Sequence, residues 1–505
     1  MAGDLRTRLQ VPLLGMMAGT AVSDINISST ALVDASRGLQ MGPALVPIAS
    51  SAMSIVLAAT VVSSGLLADR VGRRRLLLWA LLLGIVGDGL TAASVSPWMY
   101  IVARAVVGLS IGVVFTASFT MVRAVCTPDR LGAALGLFGA VSGLSMLVSS
   151  FVGGSLATVQ WRLSFLVVPL LFLVAAVLVP RILPVQPPVG SGPIDVIGQV
   201  LLAIGVVGPL YAISQLTTSI TAPRTLIAFA VGVAAFVAFL LWERRTPHPF
   251  FPVSLFRTPA FIACILMSFG VNMSNSILVL QLANLWQYVR RMDTVAVAFA
   301  QLPALAMGVV ASLVAGRLLT RGWGERRVGL LGFAGVFAGF GSLALYRIDS
   351  PFWFFLPALV LVGAGTQVIN VPFGALLMKT APADYLGPVT ASRSSIGSIA
   401  NALGMAGTTV IISRLTRGDL LAHLTQAGAP PVSTGQAIDV VTVYIKSATI
   451  PADAAGRKVL ELAGGSYSHA FAVTMGIVAA VIGLMGLAVM WLLRRRTPAQ
   501  SVPSA

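Results

Sequence analysis

The chain is 505 residues long, 57% hydrophobic and only 10% charged, with a mean hydropathy of +0.93. Ordinary globular domains are about 45–50% apolar; a water-soluble fold cannot hide more than that over such a length, so the solvent for most of this chain is a bilayer. The formal net charge of +17 does not point to nucleic acid, because the basic residues lie between apolar runs and are not gathered on one face.

Candidate spans of about 20 apolar residues follow in chain order at 11–33, 44–67, 76–95, 98–122, 132–157, 163–183, 194–215, 224–242, 260–284, 296–316, 327–346, 352–377, 387–413 and 468–492. Fourteen spans place both termini on one side of the membrane. Arginines concentrate in the loops of that side (Arg70, Arg73, Arg74, Arg75, Arg123, Arg130, Arg244, Arg245, Arg317, Arg321, Arg326, Arg327) and in the tail after the last span. By the positive-inside rule that side is cytoplasmic. A cleaved leader over residues 1–23 is the rival reading, but the apolar run continues to Val33 and its removal would leave an odd number of spans. The long polar segment 416–467 reads as an outer loop, either surface cover or a lid or partner site.

Enzyme chemistry finds no support. Two cysteines, Cys126 and Cys264, and three scattered histidines, His248, His423 and His469, have no ligand or nucleophile spacing, and no phosphate loop, nucleophile elbow or carboxylate pair is present. The expectation is therefore no cofactor and no metal.

One stretch repeats. G-L-L-A-D-R-V-G-R-R-R at 65–75 returns as G-R-L-L-T-R-G-W-G-E-R-R at 316–327, displaced by 251 residues. Duplicated halves are how many transporters are built, with the substrate site where the halves meet. The displacement fits a six-helix bundle over 1–185, two additional helices over 186–250, a second six-helix bundle over 251–497 and a tail over 498–505.

The first copy resembles the signature loop of the major facilitator superfamily, G-x-L-x-D-R-x-G-R-R, through Gly65, Leu67, Asp69, Arg70, Gly72, Arg73 and Arg74. With fourteen spans it is similar to the drug:proton antiporter branch of that family. Supporting stretches are Asp24 with Ala31 and Leu32, Arg104 with Gly108, Trp161-Arg162 with Phe165, Tyr211 to Gln215, Leu255 to Arg257, and Gln287 to Pro303. The resemblance implies an all-α integral membrane protein of the major facilitator fold. It also implies that Asp69, Arg70, Arg73 and Arg74 latch the halves together; topology alone is the plainer account of the same charges. On residue chemistry, Gly65 and Gly72 suit a tight turn against a neighbouring helix, Asp69 suits a helix N-terminus, and the arginines suit acidic or carbonyl groups.

Charges within spans are costly and are functional candidates by default. Asp24, Asp88, Arg104 and Arg393 qualify. Asp24 lies mid-span on a polar patch with Asn26, Ser28 and Ser29, either loading and releasing the coupling proton or simply pairing with Arg104; Asp88 is the next candidate. Amides offer donors and acceptors without charge. Asn26, Asn272, Asn275, Gln287, Gln367 and Asn370 therefore read either as cavity lining or as interhelical hydrogen bonds.

The family pattern breaks in places. Ser149 and Ser150 stand where a Gly-Pro pair precedes Gly153-Gly154, Val33 replaces a proline, Val107 a glutamine, and Thr320 the acidic residue of the second loop copy. The expected function is a proton-coupled exporter of amphiphilic small molecules in a bacterial inner membrane, its partners being lipid, substrate and protons, with no nucleic acid. A dedicated exporter of one endogenous lipid, siderophore or metabolite, or a non-transporting scaffold or sensor, are the alternatives.

Overall fold

A computed structural model describes residues 2–42, 45–186, 195–214, 223–246, 249, 251–382, 385–426 and 454–494. Gln215, His248, residues 427–453 and the tail lie outside them, as do the side chains of Asp69 and a few other helical residues. Apolar runs with no water to satisfy their backbone become helices. These are α1 (Ala2–Gly38), α2 (Leu45–Val71), α3 (Arg73–Ala92), α4 (Pro97–Val125), α5 (Leu131–Val159), the short α6 (Trp161–Ser164), α7 (Val167–Ile182), α8 (Val196–Ser214), α9 (Pro223–Glu243), α10 (Pro259–Tyr288), α11 (Thr294–Ala300), α12 (Leu302–Thr320), α13 (Glu325–Leu343), α14 (Leu356–Thr380), α15 (Leu386–Gln426) and α16 (Ala454–Arg494). Among the described residues 11 helices are long and apolar enough to cross a membrane. Of the fourteen expected spans, the remaining three are α1 and α13, helices of 37 and 19 residues diluted by polar side chains, and α2, a 27-residue helix whose described apolar stretch is Ile48–Val61.

The ends of helices follow local chemistry. Ser96 caps α4 by accepting from the Met99 amide, with Pro97 at the first helical position. Asp293 does the same for α11 through the Ala296 amide. The single break between α2 and α3 is Gly72, whose φ of 95° suits glycine because it lacks a Cβ. Gly65 belongs to no turn, contrary to the sequence expectation: it lies inside α2. The expected loop 416–467 is also shorter, because residues 416–426 continue α15 and residues 454–467 begin α16.

Helices α1 to α7 pack around one core that includes Leu14, Met17, Leu77, Val107, Ile111 and Phe172. Helices α10 to α16 pack around another that includes Phe261, Met267, Phe340, Phe355, Val362 and Phe471. The two groups meet chiefly along α5 against α12 and α2 against α15. Helices α8 and α9 pair with each other, and α8 leans on α2 and α15 beside that second seam. Contacts between the groups gather toward the end carrying the two arginine-rich loops. There a Cβ at Gly65 would lie 2.5 Å from the Gly387 carbonyl oxygen, and one at Gly136 would lie 2.6 Å from that of Ser312. The Ser312 hydroxyl donates to the Gly136 carbonyl at 2.9 Å, and Arg123 at the end of α4 donates to the Met378 carbonyl on α14 at 2.5 Å.

Candidate functional site

Three helices of the first group bring their charges to one point. Asp24 from the middle of α1, Asp88 from α3 and Arg104 from α4 are all fully buried. Arg104 Nη2 donates to Asp24 Oδ2 at 2.5 Å, Nη1 to Asp88 Oδ1 at 2.9 Å, and Nη1 reaches Asp24 Oδ1 at 3.5 Å. Asp24 is thus gripped through both oxygens by the guanidinium fork, whereas Asp88 is held through one and its Oδ2 has no partner among the described residues. Met53 of α2 places its sulfur 2.6 Å from Arg104 Nη2, and the Phe165 ring lies 5.2 Å from the guanidinium carbon.

The sequence motifs explain why these helices can come so close. One turn below Arg104, a Cβ at Gly108 would overlap the Met53 backbone, so the glycine lets α4 seat directly on α2. Trp161 and Phe165 form an edge-on trio with Tyr100, with centroids 6.0 to 6.3 Å apart. Arg162 lies over the Trp161 ring at 4.3 Å and donates to the Ser94 carbonyl at 2.8 Å. The aromatic trio and its arginine therefore cover the charge cluster from the end of the bundle away from the arginine-rich loops.

Charge counting defines what the cluster can do. Two carboxylates around one guanidinium leave one net negative charge when both are ionised, and a single added proton makes the group neutral. An apolar interior favours the neutral form of such a group and a wet cavity tolerates the charged one. Cycling between those environments would load and unload one proton.

The remaining predicted residues divide. Asn26 is exposed on α1 and donates to the Ser150 hydroxyl at 3.2 Å, so one of the serines in place of the expected Gly-Pro pair anchors it. Gly153 meets Ile27 of α1, and α5 runs unbroken through both serines. Asn272 folds back to the Ser268 carbonyl at 2.8 Å while facing Gly397 of α15; its neighbour Asn275 is exposed, and Gln287 is half-buried near the end of α10. The amides of α14 are joined: Asn370 donates to Gln367 Oε1 at 3.2 Å and accepts from Arg393 Nη2 at 2.8 Å. Gln281, not among the sequence candidates, is buried and donates to the hydroxyls of Thr408 and Thr409 at 2.8 and 3.0 Å. It ties α10 to α15.

In the loop cluster, Arg74 donates to the carbonyls of Leu183 and Pro180 at 3.1 and 2.8 Å, closing the C-terminus of α7 within its own half. The second loop copy lacks an acid at Thr320 but carries one five residues on. Glu325 accepts from Lys379 of α14 at 2.5 Å, beside a cavity of about 220 Å³ that Asp129 and Gly132 of the first half also line. Alignment to the first copy shows only the missing acid at Thr320; the Glu325 that opens α13, within the quoted repeat, was the available signal.

Buried intramembrane charges within two packed groups of helices define the class: an integral membrane transporter, not an enzyme. The Major Facilitator Superfamily profile matches residues 14–405, and the chain belongs to that family. It is 26% identical to the multidrug efflux pump LfrA of Mycolicibacterium smegmatis, over 88% of this chain and 87% of that protein. It is 28% identical to the puromycin resistance protein pur8 of Streptomyces alboniger, over 84% of each. Among solved structures, the proton:xylose symporter XylE superposes with a TM-score of 0.56 at 13% identity, covering 94% of both chains.

Proposed function

We propose that the protein exports amphiphilic small molecules across a bacterial inner membrane in exchange for protons, by alternating access between two six-helix bundles over 1–185 and 251–497, with both termini cytoplasmic. In this reading α8 and α9 are the two additional spans, and the full count is fourteen. The observation that carries it is the buried Asp24, Arg104 and Asp88 cluster, a proton-sized switch at the heart of one bundle. The names of the relatives support drug export as the class of cargo.

Asp88 is the proton's seat in this scheme, because one of its oxygens has no partner among the described residues, and Asp24 holds Arg104 in place. A charge moving down the membrane potential supplies about 2.3 kcal/mol per 100 mV, enough for one or two protons to drive useful accumulation. The halves meet at the arginine-rich end, which corresponds to the outward-facing state if that end is cytoplasmic. Gly65, Gly72, Asp69, Arg70, Arg73 and Arg74 then act as the latch of that state, joined by Arg123 and the Glu325 to Lys379 pair.

The test is efflux of a panel of cationic, neutral and anionic fluorescent amphiphiles from energised cells, with and without a protonophore. Wild-type protein is expected to expel members of the panel only while the proton gradient stands. Asp88→Asn is expected to abolish that export at equal expression, and Asp24→Asn, which loosens Arg104, to impair it. Export that persists in Asp88→Asn ends the coupling assignment, and no export of any member by the wild type ends the broad-exporter reading.

A further inference from the structure

Arg393 is the charge the proton cluster does not use. It lies two turns into α15, and no carboxylate among the described residues pairs with it. Its guanidinium is 4.3 Å from the Phe119 ring, 5.3 Å from Phe373 and 5.8 Å from Phe115. Two of these rings come from α4 in the first half and one from α14 in the second, so the cage spans the junction of the halves. Its one hydrogen bond among the described residues is to the Asn370 oxygen at 2.8 Å. Behind Asn370 stands Gln367, whose Oε1 would lie 3.9 Å from a Cβ on Gly139 of α5. Phe119 and Phe373 are buried, but Arg393, Phe115, Gln367 and Asn370 all keep partial access.

An arginine at this depth without a counter-ion is costly. Aromatic faces offset part of that cost, and one amide oxygen offsets a little more, yet several of the five N–H donors of the fork remain unfilled. A carboxylate fits them in pairs, and a ring attached to it would stack among the three phenylalanines. A cation in the same place would meet an uncompensated positive charge. It would gain nothing from Asp24, whose two oxygens are both held by Arg104.

We propose that Arg393, with Phe115, Phe119, Phe373, Asn370 and Gln367, forms a subsite for the anionic head of an aromatic amphiphile, and that this protein prefers aromatic acids over aromatic cations. The assignment rests on the export reading for its transport consequence, but it is tested by binding alone.

The probes are three matched compounds, 2-naphthoate, 2-naphthamide and 2-naphthylmethylammonium, titrated calorimetrically into the full-length protein in nanodiscs. Naphthoate is expected to bind wild type at least about tenfold tighter than the ammonium compound, equivalent to ~1.4 kcal/mol. Arg393→Gln is expected to erase that preference. Arg393→Lys, which keeps the charge and loses the planar fork, retains part of it and serves if the glutamine variant does not fold. The subsite is overturned if the ammonium compound binds wild type as tightly as naphthoate, if the preference survives in Arg393→Gln, or if none of the three binds. Those outcomes leave export itself untouched, because the efflux panel reads it independently.

Discussion

At the scale of single residues, the energetics of the charge cluster depend on its completeness. Removing one partner of a buried ion pair leaves an uncompensated charge and typically costs about 3–5 kcal/mol, whereas replacing the whole group by neutral side chains is often tolerated. Arg104→Met should therefore lower the thermal unfolding midpoint of the purified protein, while the triple variant Asp24→Asn, Arg104→Met, Asp88→Asn should recover most of the loss. Equal midpoints for the single and triple variants would mean that the three charges do not act as a unit. Asp24, Asp88 and Arg104 were each legible in the sequence as charges inside apolar runs. That a single guanidinium holds both acids was not, since the three residues lie on three helices and up to 80 positions apart. Nor did the sequence signal that Asp24 would be doubly bonded and Asp88 singly.

At the scale of elements, close helix packing in a bilayer relies on small residues because lipid offers helices no hydrophobic incentive to associate. Gly65 shows the consequence. In the sequence it belonged to a turn signature, and in the fold it is the point on α2 where the α15 backbone arrives. Gly65→Val is expected to push α2 off α15, lowering both the unfolding midpoint and the export rate. Gly154 on α5 provides the matched control: a Cβ there meets nothing within 4 Å, and alanine is the better helix former by about 1 kcal/mol. Gly154→Ala should leave the midpoint unchanged or slightly raised. A fall as large as that of Gly65→Val would show that close contact between the halves is not what distinguishes these positions. The spacing of a motif and its mechanical role separate here, because a short pattern records which residues are small without recording what stands opposite.

At the scale of the whole molecule, alternating access requires the loop-end seam to open and close. A Cβ on Gly132 would lie 2.7 Å from the Leu319 Cβ, about 1 Å short of the ~3.8 Å usual across a disulfide, a gap that a slight parting of α5 and α12 supplies. With Cys126 and Cys264 replaced by serine, Gly132→Cys with Leu319→Cys should cross-link under a mild oxidant and stop export, and a reductant should restore it. Full export by the cross-linked protein would show that this seam does not move during transport. Beside that seam each loop copy ties down a helix of its own half by different chemistry: Arg74 holds the carbonyls ending α7, while Glu325 holds α14 through Lys379.

The sequence alone determined that this is a helical membrane protein, because a hydropathy so high over 505 residues leaves no other solvent for its apolar surface. It also showed the repeated arginine-rich loop and the few residues whose charge must be explained, since an ionisable group in an apolar run is costly wherever its helix comes to rest. Tertiary structure alone decided the pairings: one arginine between two aspartates, another with no acid among the described residues inside a cage of three phenylalanines, and a lysine answering the glutamate at the start of α13. Each of those outcomes depends on which helix faces which and at what depth. Apolar periodicity cannot encode that in a bilayer, where a helix can show apolar side chains to lipid and to its neighbours alike.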